Sequence, residues 1–555
     1  MSVVTTTILS AGKTMDATYE LLALDISKEV NRIPTAQLVL LDGDAARQRF
    51  AISDSDFFEP GKPVEIKLRY EGAPAQEATV FSGVVVSQGV ESSAQGARLT
   101  VELKDVAVKL TFSRRSNVYR KQTDSKIFSD LLTASGLKKG TVTATTVQHE
   151  ELVRYACTDW DFLLTRAESC GLLVCVDNGV TSLQPIALRG AAKHRFEHGI
   201  SEILNFSMEA DAGQQYAAVQ SIAWDVKAQK LTRTVEGKEL TLEQSNLNAG
   251  KIAKSVGGVT QQLSTGAALP PAELQAWADG TLARSRLAML RGRLAVPGFA
   301  DIRLLDVIEV AGVGKRFNGK TVVTGIRHRV DKQGWQTDLQ FGLTAEPFVE
   351  QHTVSHTPAA GLLPAVHGLQ IGVVAKFAED PQKELRVKVI VPGLDEKQEA
   401  IWARLATPDA GKGRGYFFRP EPGDEVVIGF INADPRQAVI LGALYGSQNA
   451  PPNVVAKVSQ ENKDKAIVTR NGATIRFVDD AKVKIIVETP GANKITLDDD
   501  AQQIELADQH GNKVTLNKEG IQIRSAKDLK IEASGNMTLK GAKHVEIQGQ
   551  KVDVK

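Results

Sequence analysis

Residues 514–554 read VTLNKEGIQIRSAKDLKIEASGNMTLKGAKHVEIQGQKVDV, a chain of short apolar triplets separated by polar spacers. In each triplet the first and third residues are apolar and the middle residue is polar, as in the VTL at 514 and the IQI at 521. Successive triplets begin seven, eight, eight, eight and seven residues apart. Repetition at a short, nearly fixed period is typical of β-helices and related stacked folds.

Each triplet predicts a three-residue strand with one apolar face. The spacers are polar and contain glycine where the chain must turn. A single short strand cannot bury its apolar pair, because each side chain gains its ~1.5–3 kcal/mol only against a partner surface. The strands must therefore stack, either on one another as a solenoid or on copies from other chains, and spacing does not decide between the two. The same unit recurs less regularly upstream, as TIRF, KIIV, ITL and IEL.

Most of the chain before this repeat reads as further β structure. Residues 1–112 and 365–450 carry short β-branched stretches between turn-forming residues, and the size of the second region fits a small closed barrel. Residues 351–364 lack periodicity and read as a linker. The stretches that predict strands are Ala36–Leu41, Val64–Arg69, Val80–Val86 and Arg98–Leu103 in the first region, and Arg386–Val391, Glu425–Ile431 and Ala438–Leu444 in the second.

Helices are predicted only between these two regions. Ser125–Ser135 and Asp159–Cys170 have apolar residues at helical spacing, and each is followed by a glycine suited to the C-terminal cap, Gly136 or Gly171. A third helix follows Pro270-Pro271 and runs to about residue 290. We therefore expect an α/β insert at residues 113–200 and a β region with one helix at residues 201–350.

Composition gives no indication of a nucleic-acid or anionic-membrane partner. Basic and acidic side chains nearly cancel, 67 against 66, giving a formal net charge of +1. A nucleic-acid or anionic-membrane partner normally requires a basic excess or stripe, so neither is indicated. The N-terminus lacks the features of a signal peptide, and no run approaches the roughly 18–20 apolar residues of a membrane helix. We expect synthesis in the cytoplasm and export by some route other than the general one.

The cysteines predict neither disulfides nor a zinc site. They are odd in number and confined to one segment, so no disulfide framework is implied. No pairing with the nearby histidines has the spacing of a closed zinc site, and the apolar surroundings favour core packing. The residues concerned are Cys157, Cys170 and Cys175, with His149, His194 and His198.

Three other motifs also have plain structural interpretations. GKRFNGKT at 314–321 matches the P-loop pattern, but β-branched stretches on both sides indicate a hairpin loop instead. GKGRG at 411–415 reads as a flexible loop, and the Asp498–Asp500 run reads as a solvated turn rather than a calcium site. No nucleophile, base and acid set can be placed on one face. The sequence therefore assigns no catalytic residue, no cofactor and no metal ligand.

Four segments resemble the VgrG family, the spike proteins of type VI secretion systems, and the related hub and spike proteins of contractile phage tails and extracellular injection particles. They lie in the family's order, and the resemblance extends over most of the chain. Residues 28–44 resemble particularly the versions from extracellular particles. The segments are KEVNRIPTAQLVLLDGD at 28–44, RYACTDWDFLLTRAESCGLLVCVDNG at 154–179, FRPEPGDEVVIGFINADPRQAVILGALYGSQNAPP at 418–452, and IELADQHGNKVTLNKEGIQI at 504–523.

The resemblance implies a mainly β, multidomain homotrimer. Residues 1–112 and 201–350 would form two related hub barrels around the α/β insert, residues 365–452 an OB-fold barrel, and residues 453–555 an intertwined triple-stranded β-helix needle. Six barrels in the trimer would suit docking to a hexameric tube within a baseplate. The resemblance further implies a non-enzymatic spike that punctures a membrane mechanically, carries a PAAR-type tip protein and leaves the cell by release or injection.

The resemblance also assigns roles to residues of the repeat. The apolar pairs would face the common axis, and Val552, Val554 and Lys555 would meet the tip protein. No additional enzymatic domain is expected after the barrel or the needle. Axial ions occur in family needles, and His510 or His544 could line such a site if it points inward. The expected needle-core residues are Val514, Leu516, Ile521, Ile523, Leu529, Ile531, Met537, Leu539, Val545 and Ile547.

A rival hypothesis is a monomeric β-solenoid that acts as an enzyme or binds carbohydrate along its repeat face. Such a groove should show ladders of exposed aromatic or carboxylate side chains. Between residues 456 and 555 the only aromatic residue is Phe477, and the charged residues are of mixed sign, Lys and Glu among them. The extracellular particle is favoured over the type VI apparatus by residues 28–44 and by the short repeat.

Overall fold

A computed structural model describes residues 3–44, 46–94, 96–187, 190–394 and 397–554 of this chain. The chain divides into two compact units, residues 1–356 and 357–555. In the described ranges, no helix combines the length and the apolar character needed to cross a membrane. Each unit is built mainly from β-strands.

The first seven strands of unit 1 lie side by side in one antiparallel sheet, although not in sequence order, and they surround an apolar core. In Thr35–Leu41 every second residue is buried, which places Ala36, Leu38 and Leu40 inside, as alternation predicts for a half-buried strand. The four strands predicted from the sequence are confirmed here. The strands are β1 (Val4–Ser10), β2 (Lys13–Thr14), β3 (Leu21–Glu29), β4 (Thr35–Leu41), β5 (Pro63–Tyr70), β6 (Ala78–Ser93) and β7 (Gly96–Lys104).

An α/β segment follows, and both predicted helices are confirmed. Thr123 and Thr158 cap the helix N-termini through their side chains, while Gly136 and Gly171 hold the positive φ (69° and 68°) of the residue after each C-cap. The elements are β8 (Arg114–Thr123), α1 (Asp124–Ala134), β9 (Lys138–Val142), β10 (Gln148–Thr158), α2 (Asp159–Ser169), β11 (Leu172–Asp177) and β12 (Val180–Pro185).

The rest of unit 1 returns to β structure with two helices of more than one turn, α3 (Ala249–Val256) and α4 (Pro271–Ala288), rather than the single helix predicted. The sequence predicts α4 but not α3, whose eight residues are too few for a clear apolar periodicity. The elements are β13 (His194–Glu197), β14 (Asn205–Ala210), β15 (Ala218–Asp225), β16 (Lys230–Leu231), β17 (Val235–Glu236), α3 (Ala249–Val256), β18 (Thr260–Thr265), α4 (Pro271–Ala288), β19 (Leu290–Pro297), β20 (Val307–Ala311), β21 (Gly319–Asp331), β22 (Gly334–Phe341) and the single turn α5 (Phe348–Gln351).

One large sheet joins the two β regions of unit 1. β21 pairs with β3, so the strand order runs β14-β19-β22-β21-β3-β4-β7-β6-β5-β1-β2. Separate apolar cores lie under its two halves. β13, which the sequence places in the insert, pairs with β20 of the second half. The predicted boundary at residue 200 therefore lies after the first strand of that half.

Helix α2 connects helix α1 of the insert to helix α4 of the following β region. Arg166 donates to both carboxylate oxygens of Asp124 (2.8 and 3.0 Å) and to Glu273 on α4 (2.8 Å). α2 also approaches α4 at a glycine pair, because a Cβ on Gly280 would lie 2.8 Å from the Cα of Gly171. These contacts fix the position of the insert.

Unit 2 begins with a closed five-stranded barrel, as the sequence predicts. Its order is β23-β24-β25-β29-β28, which closes on β23, and its core contains Val389, Val426 and Ile440. The strands in and beside it are β23 (Gln370–Val374), β24 (Val387–Ile390), β25 (Ala400–Leu405), β26 (Ala410–Gly411), β27 (Arg414–Gly415), β28 (Glu425–Phe430) and β29 (Ala438–Ala443).

A seven-stranded antiparallel sheet follows the barrel, each strand paired with the next in sequence. The described residues of the repeat therefore form an open meander and not a solenoid coiled on itself. The strands are β30 (Asp464–Val468), β31 (Thr474–Val478), β32 (Lys484–Glu488), β33 (Lys494–Asp498), β34 (Gln503–Ala507), β35 (Lys513–Asn517) and β36 (Gly520–Arg524).

Candidate functional site

The meander aligns its apolar side chains in two rows on one face. Residues i and i+2 of each strand point to the same side, and the antiparallel register places them beside their counterparts in the next strand. The first row contains Ile467, Ile475, Val487, Ile495, Leu506, Val514 and Ile523. The second row begins with Lys465 and continues with Phe477, Ile485, Leu497, Ile504, Leu516 and Ile521.

No described part of the chain covers these rows. Ile495 and Leu506, on central strands, are 41% and 42% exposed. Six steps at the usual strand spacing of about 4.8 Å make each row about 29 Å long. A sheet with such a face needs a second layer to be stable in water, and covering the thirteen apolar side chains would contribute on the order of 10 kcal/mol per chain. A continuous apolar face of this kind marks an interaction surface.

The opposite face of the meander is polar and carries ion pairs between neighbouring strands. Arg476 pairs with Asp464 at 2.6 Å and Lys484 with Asp498 at 3.0 Å. Lys513 pairs with Glu505 at 2.5 Å. Since a shift of one residue would exchange the two faces, this contrast fixes both the register and the side that needs a cover.

The structure brings together only part of the needle core expected from the sequence. Val514, Leu516, Ile521 and Ile523 lie in the two rows. After Arg524 the structure assigns no strand up to residue 554, and the remaining six expected core residues are exposed there. Val552 and Val554, the expected tip contacts, are exposed as well, and Lys555 lies outside the described residues. The six are Leu529, Ile531, Met537, Leu539, Val545 and Ile547.

The sequence identified the units TIRF, KIIV, ITL and IEL in the upstream half of the rows, but not their period. The unit there was expected to be irregular, and this is wrong: five successive strands begin at residues 464, 474, 484, 494 and 503. The period is close to ten because each repeating unit consists of a strand of about five residues and a turn of about five residues. A search for apolar pairs ten residues apart would have shown this regularity.

The OB barrel carries a second apolar surface that the sequence did not indicate. Ile371 on β23 pairs with Val427 on β28, and both point away from the barrel core. Leu369 and Leu441 meet over Gly429, where a built Cβ would lie 3.6 and 3.3 Å from their methyl groups. We call Leu369, Ile371, Val427 and Leu441 the apolar barrel side.

The cysteines are core residues, as their surroundings in the sequence predict. Cys157 and Cys175 are buried, and Cys170 packs against the core of the insert. Burial raises the pKa of the Cys170 and Cys175 thiols to about 12, so neither forms a thiolate ligand near neutral pH. Within the described ranges, no three His, Cys, Asp or Glu side chains lie close enough together to hold a metal ion.

The three other motifs singled out in the sequence form a hairpin loop, a small hairpin and a turn. Residues 314–321 connect β20 to β21 in an antiparallel hairpin, so no helix begins there to hold a phosphate. Residues 410–415 form the small β26–β27 hairpin. Asp498 caps the turn after β33 by accepting from the backbone N–H groups of Asp500 and Ala501.

The two candidate axial histidines do not lie on the apolar face. His510 is in the turn between β34 and β35, at the edge of the sheet, where its ring contacts Gln509. His544 is exposed in the segment without assigned strands.

Comparison with known proteins gives three family matches. Residues 1–332 match the Alg8 N-terminal domain, and residues 370–445 match the type VI secretion system/phage-baseplate injector OB domain. Residues 484–555 match the phage baseplate V C-terminal trimerisation domain.

Two of the relatives are spike or toxin proteins. The actin cross-linking toxin VgrG1 of Vibrio cholerae is 25% identical over 65% of this chain and 34% of that protein. The type VI secretion system spike protein VgrG1a of Pseudomonas aeruginosa is 23% identical over 32% of this chain and 31% of that protein. The chain thus spans about a third of the length of these relatives.

Solved structures of phage-tail and type VI proteins also align with this chain. A tail protein of Neisseria meningitidis has a TM-score of 0.45 at 16% identity, covering 61% of this chain and 96% of its own. A type VI secretion component of E. coli has a TM-score of 0.38 at 14% identity, covering 79% of this chain and 99% of its own.

The first family model covers more than half of the chain, and the matched domains follow one another in the order Alg8 N-terminal domain, OB domain and trimerisation domain. The chain belongs to the VgrG family of spike proteins, with an N-terminal part of the Alg8 type.

Proposed function

We propose that three copies of this chain assemble into the non-enzymatic central spike of a contractile injection system. The observation that carries the proposal is the pair of uncovered apolar rows on the C-terminal meander. Three such sheets, each turning its rows inward, would form a three-sided prism in which every sheet covers the other two. Ion-paired faces would then lie outside, in water.

The segment after Arg524 supports the same assembly. It keeps the triplet pattern but contains no hairpin that would let it pair with itself. A strand with one apolar face and free backbone groups needs partners on both sides, and two other copies in parallel supply them. The three chains would therefore intertwine below the prism, with Leu529, Ile531 and their successors on the axis. A PAAR-type tip would cover Val552, Val554 and Lys555.

The hub would connect this spike to the rest of the machine. Two β regions joined by one sheet in each copy would give a ring of six similar parts, which suits a hexameric tube and a surrounding baseplate. Sheath contraction would then drive the spike through the target membrane. This is a mechanical role, and no catalytic residue is assigned to it.

An extracellular, phage-tail-like particle is favoured as the host machine, because residues 28–44 resemble the versions from such particles and because the repeat is short. Its test is location. Recovery of the chain from released particles in the culture medium would support the extracellular system, whereas recovery only from a cell-attached apparatus would support type VI secretion.

The experiment that tests the trimer is light scattering on the full chain and on two variants of adjacent residues. Ile495 lies in the first row and Thr496 on the opposite face of the same strand. We expect a mass of three chains of 59.9 kDa for the wild type and for Thr496→Lys. Ile495→Lys should give monomers, because three lysines would meet in an apolar interior.

A wild-type mass of one chain would refute the proposal. So would a trimer that tolerates Ile495→Lys as well as it tolerates Thr496→Lys, because the apolar rows would then not be the interface.

A further inference from the structure

The OB barrel has a second exterior side that differs in chemistry from the apolar barrel side. β24 and β25, neighbouring strands of the barrel wall, place Lys388 directly opposite Trp402 on the outer surface. The neighbouring inward positions, Val387, Val389 and Ala403, belong to the barrel core, which confirms that Lys388 and Trp402 point outward.

Two cations lie over the Trp402 ring. The Arg386 guanidinium carbon is 5.6 Å from the ring centroid, and Lys388 Nζ is 5.3 Å from it. Both distances are within the range of cation–π attraction, which holds the charges at the surface beside a flat apolar ring.

A second cation–aromatic group borders the first. The Arg419 guanidinium lies 5.6 Å from the centroid of Phe377 and 5.4 Å from that of Phe417. These two rings are 50% and 63% exposed. A cavity of about 280 Å³ lies between the groups, lined by both Arg386 and Arg419 together with Phe377 and Lys388.

The cavity carries an excess of positive charge. Asp380 accepts from Arg386 at 2.7 and 3.0 Å, and this pairing holds the pKa of Asp380 well below its usual range, so Arg386 is neutralised. Lys383, Lys388 and Arg419 remain in the lining against the single further carboxylate of Glu379. Among the described residues, neither Lys388 nor Arg419 contacts a carboxylate.

We propose that this cation–aromatic side of the barrel binds an anionic saccharide. Lys388 and Arg419 would take its carboxylate, phosphate or sulfate groups. The exposed ring of Phe377, which lines the cavity, would pack against a sugar face, and the ring of Phe417, outside the lining but beside the Arg419 guanidinium, would extend this surface. The strands concerned are the second and third of the barrel, and this is the face on which OB folds hold oligosaccharides and oligonucleotides. The site does not require the trimer, since every group in it belongs to one chain.

Size and charge favour a saccharide over a nucleic acid. The cavity is close to the lower end of the roughly 300–1,000 Å³ typical of small-molecule sites, so it fits one or two sugar residues. Binding along a nucleic-acid backbone calls for a continuous basic stripe with several stacking rings. The chain as a whole has a net charge of only +1.

The test is a titration of the full chain with four probes at low and at high salt. We expect a sulfated heparin hexasaccharide to bind and to weaken with salt, while a neutral N-acetylglucosamine hexamer, a single-stranded deoxythymidine dodecamer and inorganic phosphate bind at least tenfold more weakly. The double variant Lys388→Gln, Arg419→Gln should lose at least tenfold in affinity for the sulfated probe. Lys412→Gln, in the β26–β27 hairpin, serves as the control and should bind as the wild type does.

Each other outcome overturns the proposal. Preference for the oligonucleotide would make this a nucleic-acid site, and equal binding of phosphate would make it a free-anion site. If no probe binds, or if the double variant and the wild type have equal affinity for the sulfated probe, then this side of the barrel is not a saccharide-binding site. The comparison of probes on the wild type tests the ligand class even if the double variant fails to fold, and each single variant, Lys388→Gln or Arg419→Gln, then tests the location through its loss of affinity for the sulfated probe.

Discussion

Ala492 holds the same left-handed backbone conformation as Gly472, at the equivalent position of the next turn along one edge of the meander. φ is 61° at Ala492 and 85° at Gly472. The two turns close in the same way, with the N–H of Thr469 or Thr489 donating to the carbonyl oxygen four residues later at 2.9 and 3.0 Å. An alanine therefore stands where the turn favours glycine.

Replacing Ala492 by glycine should stabilise the meander. The left-handed conformation costs a residue with a Cβ about 1–2 kcal/mol, and the added freedom of glycine in the unfolded chain offsets roughly half of that. We expect Ala492→Gly to raise the melting temperature, by a gain of about 0.5 kcal/mol per chain, and Gly472→Ala to lower it. Ala473→Gly, next to the left-handed position, is the control and should lower it slightly. A lower melting temperature for Ala492→Gly would contradict the argument.

Truncation after Pro452 should leave folded barrels but remove the assembly's resistance to heat and detergent. The five barrel strands pair among themselves within residues 370–443, so closure does not depend on the meander. Without the two apolar rows the chains lose their main proposed contact. Circular dichroism would check the fold, and unboiled gel electrophoresis in detergent the assembly. A detergent-resistant trimer of the truncated chain would show that the contact lies elsewhere.

His328 should make unit 1 less stable in mild acid. Burial lowers its pKa from 6.5 to about 3, and its Nδ1 hydrogen-bonds to Thr337 and Trp335, neither of which is charged. Below pH 6.5 the unfolded state binds a proton that the folded state does not. The stabilisation is therefore complete above pH 6.5 and falls by about 1.4 kcal/mol per pH unit down to the folded pKa.

The measurement for this prediction is the urea midpoint at pH 7 and pH 5, followed by tryptophan fluorescence. His328→Gln should show a smaller change between the two pH values than the wild type, and His510→Gln, which alters an exposed histidine, should not. Equal pH dependence in all three proteins would assign the acid sensitivity to other groups.

Glu168 should be needed for the stability of unit 1. Its carboxylate accepts from Arg284 and from Asn31 at 3.2 Å, and also from the backbone N–H of Phe348 at 2.8 Å. Glu168→Gln would leave the largely buried Arg284 without its counter-charge, at a cost of about 3 kcal/mol. A denaturant titration would measure it, with the exposed Glu150→Gln as the control. Equal midpoints for the two variants would contradict this role.

Much of the secondary structure followed from local signals. The glycines after α1 and α2, the proline pair before α4 and the alternation in β4 each act within a few residues, so the sequence predicts them directly. Helix α3 was not predicted because its eight residues give only about two turns of apolar periodicity. The pairing of β13 with β20 was not predicted because it joins positions more than a hundred residues apart, and no local sequence pattern indicates such a pairing.

The residues of the candidate sites also separate into those that local sequence patterns predict and those that only the folded structure brings together. Val514, Leu516, Ile521 and Ile523 were identifiable because their triplets lie at short, regular spacing. Leu369 and Leu441 were not, because they meet over Gly429 only once the barrel has closed. The charge excess beside Trp402 likewise depends on which cations Asp380 leaves unpaired.

By itself, the sequence determined that the C-terminal repeat must stack, because the alternation in each triplet creates an apolar face that a short strand cannot bury alone. Only the tertiary structure decided that residues 464–524 form one open meander whose rows stay uncovered. The physical reason is that alternation sets the direction of side chains within a strand, whereas the hydrogen-bonded register between strands sets which side chains become neighbours.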